Sequence, residues 1–327
     1  MPISTLLKTK IPLKKILSYI IPPVITVGLC RVLYADLDLE ALLNGARQCS
    51  PLPVVLFLLA NVAAMICRGL RWRLQLRAAG VNPGLGVMSR SIFGTYAVNL
   101  VFPRLGEFWR CAYISRTAGA EFSSVFGTMV ADRLADTLMV GLISLTALSL
   151  SAGAMSRFVG AAAPAGGLPG ATILWVGVAL LAAAAIYLAL ANDPLSRRIR
   201  QFLLKTWRGF ILIFSMPRKG LWLLLTLGIW GGYIASMALS MAAFPPTAHL
   251  GPGAVMLTFV FGSLAMAIPS NGGIGPWQYA VILALSGLYD IPQPVALVFA
   301  TLNLGANTLL NILLGLYTFL HLLLRSR

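Results

Sequence analysis

The chain has 327 residues, 58% hydrophobic and 10% charged, and its 25 Lys and Arg outnumber 9 Asp and Glu for a formal net charge of +16. A soluble domain carries about a quarter charged residues, so this composition excludes an ordinary globular enzyme and predicts an all-α polytopic integral membrane protein. The basic residues lie between apolar runs, so they read as topology signals and contacts for anionic lipid headgroups rather than as a nucleic-acid surface.

A spanning helix needs about 20 apolar residues. Segment 1–15 is a basic N-terminus with Lys8, Lys10, Lys14 and Lys15. The apolar run after it has no small-residue cleavage site and reads as a retained first span, 16–34. A second span is expected at 52–67, followed by a basic stretch and the turn signal Gly80-Val81-Asn82-Pro83-Gly84. An apolar segment at 91–101 then breaks at Pro103-Arg104-Leu105-Gly106-Glu107. Full spans follow at 122–150, 172–191 and 221–243. A shorter run, 254–268, breaks at Pro269-Ser270-Asn271-Gly272-Gly273-Ile274-Gly275-Pro276 and continues as a short helix at 277–288. The last apolar stretch, 295–324, is expected to tilt or break near Asn303 to Asn307. The reading is a single transmembrane domain over 1–327, with about seven spanning helices, two re-entrant helical hairpins and a basic link at 192–220.

Charge sets the orientation. The four N-terminal Lys, then Arg68, Arg71, Arg73, Arg77 and Arg90, the seven basic residues of the link, and Arg325 and Arg327 belong on the cytoplasmic side. The stretches 35–50, 151–170 and 244–253 are poor in base and belong outside. With these signs, the first broken segment enters from the cytoplasm and the second from outside, in inverted pseudo-symmetry. Both termini are cytoplasmic. Paired interruptions of this kind point to a transporter site near the midplane, because helix breakers at bilayer depth are tolerated only where protein or a water-filled cavity satisfies the freed backbone groups.

The ionisable residues gather at the first break and the span after it. Arg104, Glu107 and Arg110 precede Asp132, Arg133 and Asp136. A charge at bilayer depth is costly and by default marks function. Glu107 and Arg110 stand i, i+3 and are expected to pair, as are Arg133 and Asp136. Arginine binds phosphate oxygens bidentately, and the carboxylates either orient those arginines or meet a headgroup amine. The alternative is a buried ion-pair network that locks two helices. In the second break, Asn271, Gly272, Gly273 and Gly275 leave backbone free to approach a ligand, and the helix start after Pro276 offers N–H groups suited to phosphate. A tight packing turn explains the same glycines. Asn303, Asn307 and Asn311 repeat every four residues, for interhelical hydrogen bonds or a polar path.

Cys30, Cys49, Cys67 and Cys111 form no C-x-x-C pair, and His249 and His321 are far apart. No metal, redox cofactor or Walker-type nucleotide site is expected. Asp36, Asp38 and Glu40 after the first span allow a second reading, a membrane-embedded transferase using a polyprenyl-phosphate-linked donor. A third is a non-catalytic partner of a membrane-associated lipid or glycan biosynthetic enzyme.

Three stretches carry a family resemblance: Asn99 through Pro103-Arg104-Leu105-Gly106-Glu107 with Arg110, then Ala131-Asp132-Arg133-Leu134-Ala135-Asp136, then Ile268-Pro269-Ser270-Asn271-Gly272-Gly273-Ile274-Gly275. In order and spacing they resemble the transmembrane (flippase) domain of lysylphosphatidylglycerol synthases and its stand-alone relatives. The resemblance implies a helical membrane domain with re-entrant segments that translocates a lipid, without the separate cytoplasmic synthase domain. The expectation is therefore a translocase rather than an enzyme, in a bacterial inner membrane. Its ligand is a phospholipid or polyprenyl-phosphate lipid, contacted by Arg104, Glu107, Arg110, Arg133, Asp136, Asn271, Gly272, Gly273 and Gly275.

Overall fold

The computed structural model describes residues 38–151 and 216–325, with isolated positions at 31, 153, 201, 204 and 207. The spans expected at 16–34 and 172–191 and most of the basic link lie outside the described residues. What is described is all helical. Helix α1 (Leu39–Gln48) is short and starts where the Asp38 carboxylate accepts the Glu40 N–H at 2.8 Å, an N-cap that satisfies a free amide. Then come α2 (Pro51–Ala78), α3 (Leu85–Val101), α4 (Leu105–Ala118) and α5 (Phe122–Leu150). The second half supplies α6 (Lys219–Ala243), a 3₁₀ turn (Pro245–Thr247), α7 (Pro252–Ala265), α8 (Pro276–Tyr289) and α9 (Gln293–Arg325). Four helices, α2, α5, α6 and α9, are long and apolar enough to cross a membrane.

Two sequence expectations are corrected. The second span does not stop at residue 67. α2 runs on to Ala78 and carries Arg68, Arg71, Arg73 and Arg77 inside the helix. Arg, Leu and Gln favour helix, Gly69 is carried inside it, and the helix ends before Gly80, whose φ of 80° suits a residue without Cβ. α9 is likewise unbroken at Asn303 to Asn307. The Asn307 amide donates to the backbone oxygen and to Oδ1 of Asn303, both at 3.1 Å, so the polar groups are satisfied within the helix.

The two halves repeat one order: long helix, two short helices, long helix. α2 and α6 pack antiparallel. The Ser50 N–H donates to Ala243 O at 2.9 Å at one end, the Asn61 amide to Ser236 Oγ at 2.5 Å midway, and Arg71 Nη1 to Thr226 Oγ1 at 3.4 Å toward the other. Small residues permit the close approach, as is usual for helices in lipid: a Cβ on Gly232 would lie 3.0 Å from that of Ala64. Each short pair then packs on the final long helix of the other half. α3 lies on α9, with Phe93 edge-on to Tyr317, and α7 lies on α5 through Leu257, Val260, Ile143 and Ala147. Within each pair a glycine seats a tryptophan, Gly94 under Trp109 and Gly262 under Trp277, at the same separation in sequence. α4 and α8 have 14 residues each and end on a left-handed residue, Gly119 and Asp290.

Candidate functional site

The breaks between the short helices become turns, and the turns touch. After α3, Arg104 adopts a left-handed conformation (φ 62°) and starts α4, a conformation unfavourable for a residue with a side chain. After α7 the chain turns through Gly272, Gly273 and Gly275, with φ of 61°, 87° and 91°. The Gly272 N–H donates to Asn99 O at 3.1 Å, and the Asn271 amide donates to Leu100 O at 3.2 Å and Val101 O at 3.0 Å. Arg104 Nη2 reaches across to Ala267 O. A Cβ on Gly272 would come 2.6 Å from Leu100 Cδ2, so glycine is needed for the approach as well as for its φ. The tips of the two broken segments thus form one joint.

The N–H groups of the second break are largely engaged within the protein. Ile274 N–H donates to Asn271 O, Trp277 N–H to Gly273 O, and Gly275 N–H to the Gln278 side chain at 3.2 Å. Gly273 packs on Met266 and Trp277. Asn271 and Gly272 join the tips, whereas Gly273 and Gly275 shape the turn.

From the joint a chain of charge runs into the protein. Asn99 Oδ1 accepts the Gly106 N–H at 2.8 Å, and its amide donates to Glu107 Oε2 at 3.5 Å. The other Glu107 oxygen accepts from Arg133 Nη2 on α5. One turn along α5, Asp136 accepts Arg68 Nη1 at 2.6 Å on one oxygen and Arg71 Nη2 at 2.7 Å on the other. Asp132 Oδ1 accepts Arg71 Nε at 2.9 Å and lies 2.6 Å from its Nη2. Arg110 completes the cluster: its Nη2 is 3.6 Å from Asp132 Oδ2, and its guanidinium stacks over Trp72 at 4.5 Å. Aromatic faces also meet Arg68, through Tyr233 at 5.8 Å, and Arg71, through Trp222 at 5.6 Å, adding cation–π attraction. The Tyr96 and Tyr233 hydroxyls hydrogen-bond at 2.8 Å beside them, across the two halves.

These pairings correct one local expectation and keep another as a longer ion pair. Glu107 pairs with Arg133 rather than Arg110. Asp136 is held by Arg68 and Arg71, while Arg133 stands 3.9 Å from it. An i, i+3 pair is worth a few tenths of a kcal/mol, and tertiary partners outweigh it. Arg68 and Arg71, read from sequence as topology signals, are the principal partners of both aspartates. Their i, i+3 spacing, set against two carboxylates in an apolar span, was the available cue.

Burial divides the cluster. The side chains of Arg71, Arg110 and Asp132 are 0–1% exposed, whereas that of Arg133 is 46% exposed. Arg104 is exposed and Glu107 partly so. Arg133 stands near the middle of the 29-residue α5. A guanidinium exposed at mid-span needs a polar cavity, a headgroup or a protein partner. Of the residues expected at the site, Arg104, Glu107 and Arg133 form its open edge. Asp136, with Arg110, belongs to the buried part. Asp38 is occupied as a helix cap, and Asp36 lies outside the described residues.

Two cavities lie away from the cluster. One of about 480 Å³ is lined by Leu150, Ser151 and Tyr289 among others, and one of about 180 Å³ lies between Phe57, Phe244 and Phe299.

No curated protein and no solved structure matches the chain. A family model does: that of the lysylphosphatidylglycerol synthase TM region matches residues 19–315. The chain therefore belongs to the lysylphosphatidylglycerol synthase transmembrane-region family, membrane domains tied to lipid metabolism.

Proposed function

We propose that the chain is a lipid translocase of the bacterial inner membrane, with both termini cytoplasmic, that passes a lipid-phosphate headgroup along the open edge formed by Arg104, Glu107 and Arg133. The observation that carries this reading is the exposed Arg133–Glu107 pair at mid-span, beside the joint between the two hairpin tips. Arg104 and Arg133 meet the phosphate. Glu107 and, behind it, Asp136 orient them, and Arg68, Arg71 and Arg110 hold the aspartates in place. The lipid tail stays in the bilayer throughout.

The hairpins are read as re-entrant. At 1.5 Å per residue, α3 and α7 reach only about 26 and 21 Å, and α2 about 42 Å. Each hairpin alone falls short of a hydrocarbon core of about 30 Å, while the two placed tip to tip match one full span. Because α2 and α6 run antiparallel, an axis relating the halves lies in the membrane plane, which makes the repeat an inverted one. That is the arrangement in which a midplane site opens alternately to each side.

The test is reconstitution of the full chain into liposomes with a tail-labelled phospholipid, followed by chemical quenching of the outer leaflet. Arg104→Gln and Glu107→Gln are expected to lower the rate at least about tenfold, as for loss of a charge-assisted contact, with unchanged elution in detergent. Wild-type rates in both variants would overturn the assignment.

A further inference from the structure

Among the described residues, the cluster is not electrically balanced. It holds five guanidinium groups, on Arg68, Arg71, Arg104, Arg110 and Arg133, against three carboxylates, on Glu107, Asp132 and Asp136. Two positive charges are left over, and protonation of any of these carboxylates would only enlarge the excess.

The whole chain has few acids with which to correct this. It has nine: Asp36, Asp38, Glu40, Glu107, Glu121, Asp132, Asp136, Asp193 and Asp290. Asp38 and Glu40 begin α1, which packs through Gly45 on Val298 and Phe244. Phe244 follows Ala243, the residue bonded to Ser50 at the end of α2 remote from Arg68. Glu121 stands at the N-terminal boundary of α5 and Asp290 at the C-terminal boundary of α8. Asp36 and Asp193 lie outside the described residues.

The donors are also in excess. Among the described residues, Arg68 Nε and both Nε and Nη2 of Arg110 have no hydrogen-bond partner, against one unpartnered acceptor, Asp132 Oδ2, 3.6 Å from that Nη2. Leaving donors of a charged group unmet in a dry site is costly. A bound anion at the open edge would relieve the cluster by charge.

We infer that the headgroup taken by this site is anionic overall, a phosphate with no compensating amine. This inference rests on the translocase reading and narrows it. A zwitterionic headgroup brings an ammonium into a region already positive, and an aminoacylated one, as in the family's description, brings more; like charges at an interface select against such ligands. An anionic lipid and free phosphate share the recognised chemistry, so the experiment separates them.

The full chain is reconstituted in phosphatidylcholine vesicles with tail-labelled phosphatidylglycerol, phosphatidylethanolamine or lysylphosphatidylglycerol. Phosphatidylglycerol is expected to move about tenfold faster than lysylphosphatidylglycerol, with phosphatidylethanolamine between them. Arg133→Gln should narrow that ratio severalfold, and Arg133→Lys, which keeps the charge, should restore it. Inorganic phosphate at tens of millimolar should leave the phosphatidylglycerol rate unchanged; suppression of that rate would assign the site to free phosphate and overturn the lipid source. Equal rates for the three lipids, or faster movement of the lysyl lipid, overturn the charge inference while the translocase reading stands. If no lipid moves faster than in protein-free vesicles, the translocase reading fails. Mass spectrometry of lipid retained after mild purification then decides the charge question, with enrichment of phosphatidylglycerol over phosphatidylethanolamine upholding it and no enrichment ending it.

Discussion

Aligned on the left-handed residue that ends the preceding short helix, α5 carries Asp132 and Asp136 where α9 carries Asn303 and Asn307. The third residue of α4 is Glu107 and the third of α8 is Gln278. Glu107 reaches Arg133 on the next helix, and Gln278 donates to Thr301 on its own next helix at 3.4 Å. Between α2 and α6, Arg71 meets Thr226 on one side while Asn61 meets Ser236 on the other. The first half thus has charges where the second has amides and hydroxyls. Since the second half builds the same helices without this charge, the helical architecture does not require it. Burying ions costs several kcal/mol each before pairing. A cost carried by one half alone points to what the site handles rather than to what the fold needs.

The largest expected effect comes from converting the charged half to the neutral pattern. Asp132→Asn removes a carboxylate that faces Arg71 and Arg110, both buried, and leaves their charge short of a partner. Stability should fall by about 3–5 kcal/mol, read as a lower midpoint in thermal or SDS unfolding of the detergent-solubilised protein. A loss under about 1 kcal/mol would mean that Asp132 is not an anchor of the cluster, and the contrast between the halves would lose its energetic meaning.

An intermediate effect is expected at the joint. Gly272→Ala adds a side chain at φ 61° and drives it toward Leu100. Left-handed strain and the contact together should cost about 2 kcal/mol and should loosen the tips, exposing a cysteine placed at Ser270 to a water-soluble maleimide. The described native cysteines are Cys49, Cys67 and Cys111, of which Cys111 is buried, so the measurement uses a cysteine-free background. Unchanged labelling would show that the joint does not depend on Gly272.

What could be read in advance follows from the range of each force. The two breaks were legible because Pro and Gly act on their own few residues; Pro103, Pro269 and the glycines from Gly272 to Gly275 announced them. The joint was not, because the Asn271 amide binding to Leu100 O and Val101 O is a contact between distant segments. Arg68 and Arg71 fall beyond the expected second span because a hydropathy count stops at the first cluster of charges, whereas a helix with carboxylate partners continues through it. Charge inside an apolar region singles out Glu107, Arg133 and Asp136 in the sequence, and the structure supplies their partners. Asn303 and Asn307 were taken for a weak point because Asn is a poor helix former in isolation; their own hydrogen bonds keep α9 continuous.

The smallest expected effect tests the neutral half directly. Asn307→Ala removes an amide whose recorded bonds run to Asn303 one turn earlier. Polar contacts between groups in membrane helices average about 0.6 kcal/mol, so the loss should be of that size, roughly a fifth or less of that expected for Asp132→Asn. The decisive quantity is the ratio, measured for both variants in the same detergent. A large loss at Asn307 would mean that the second half depends on its amides as the first depends on its charges. The asymmetry would then be one of residue type alone, and the argument that charge was kept for a ligand would lose its footing.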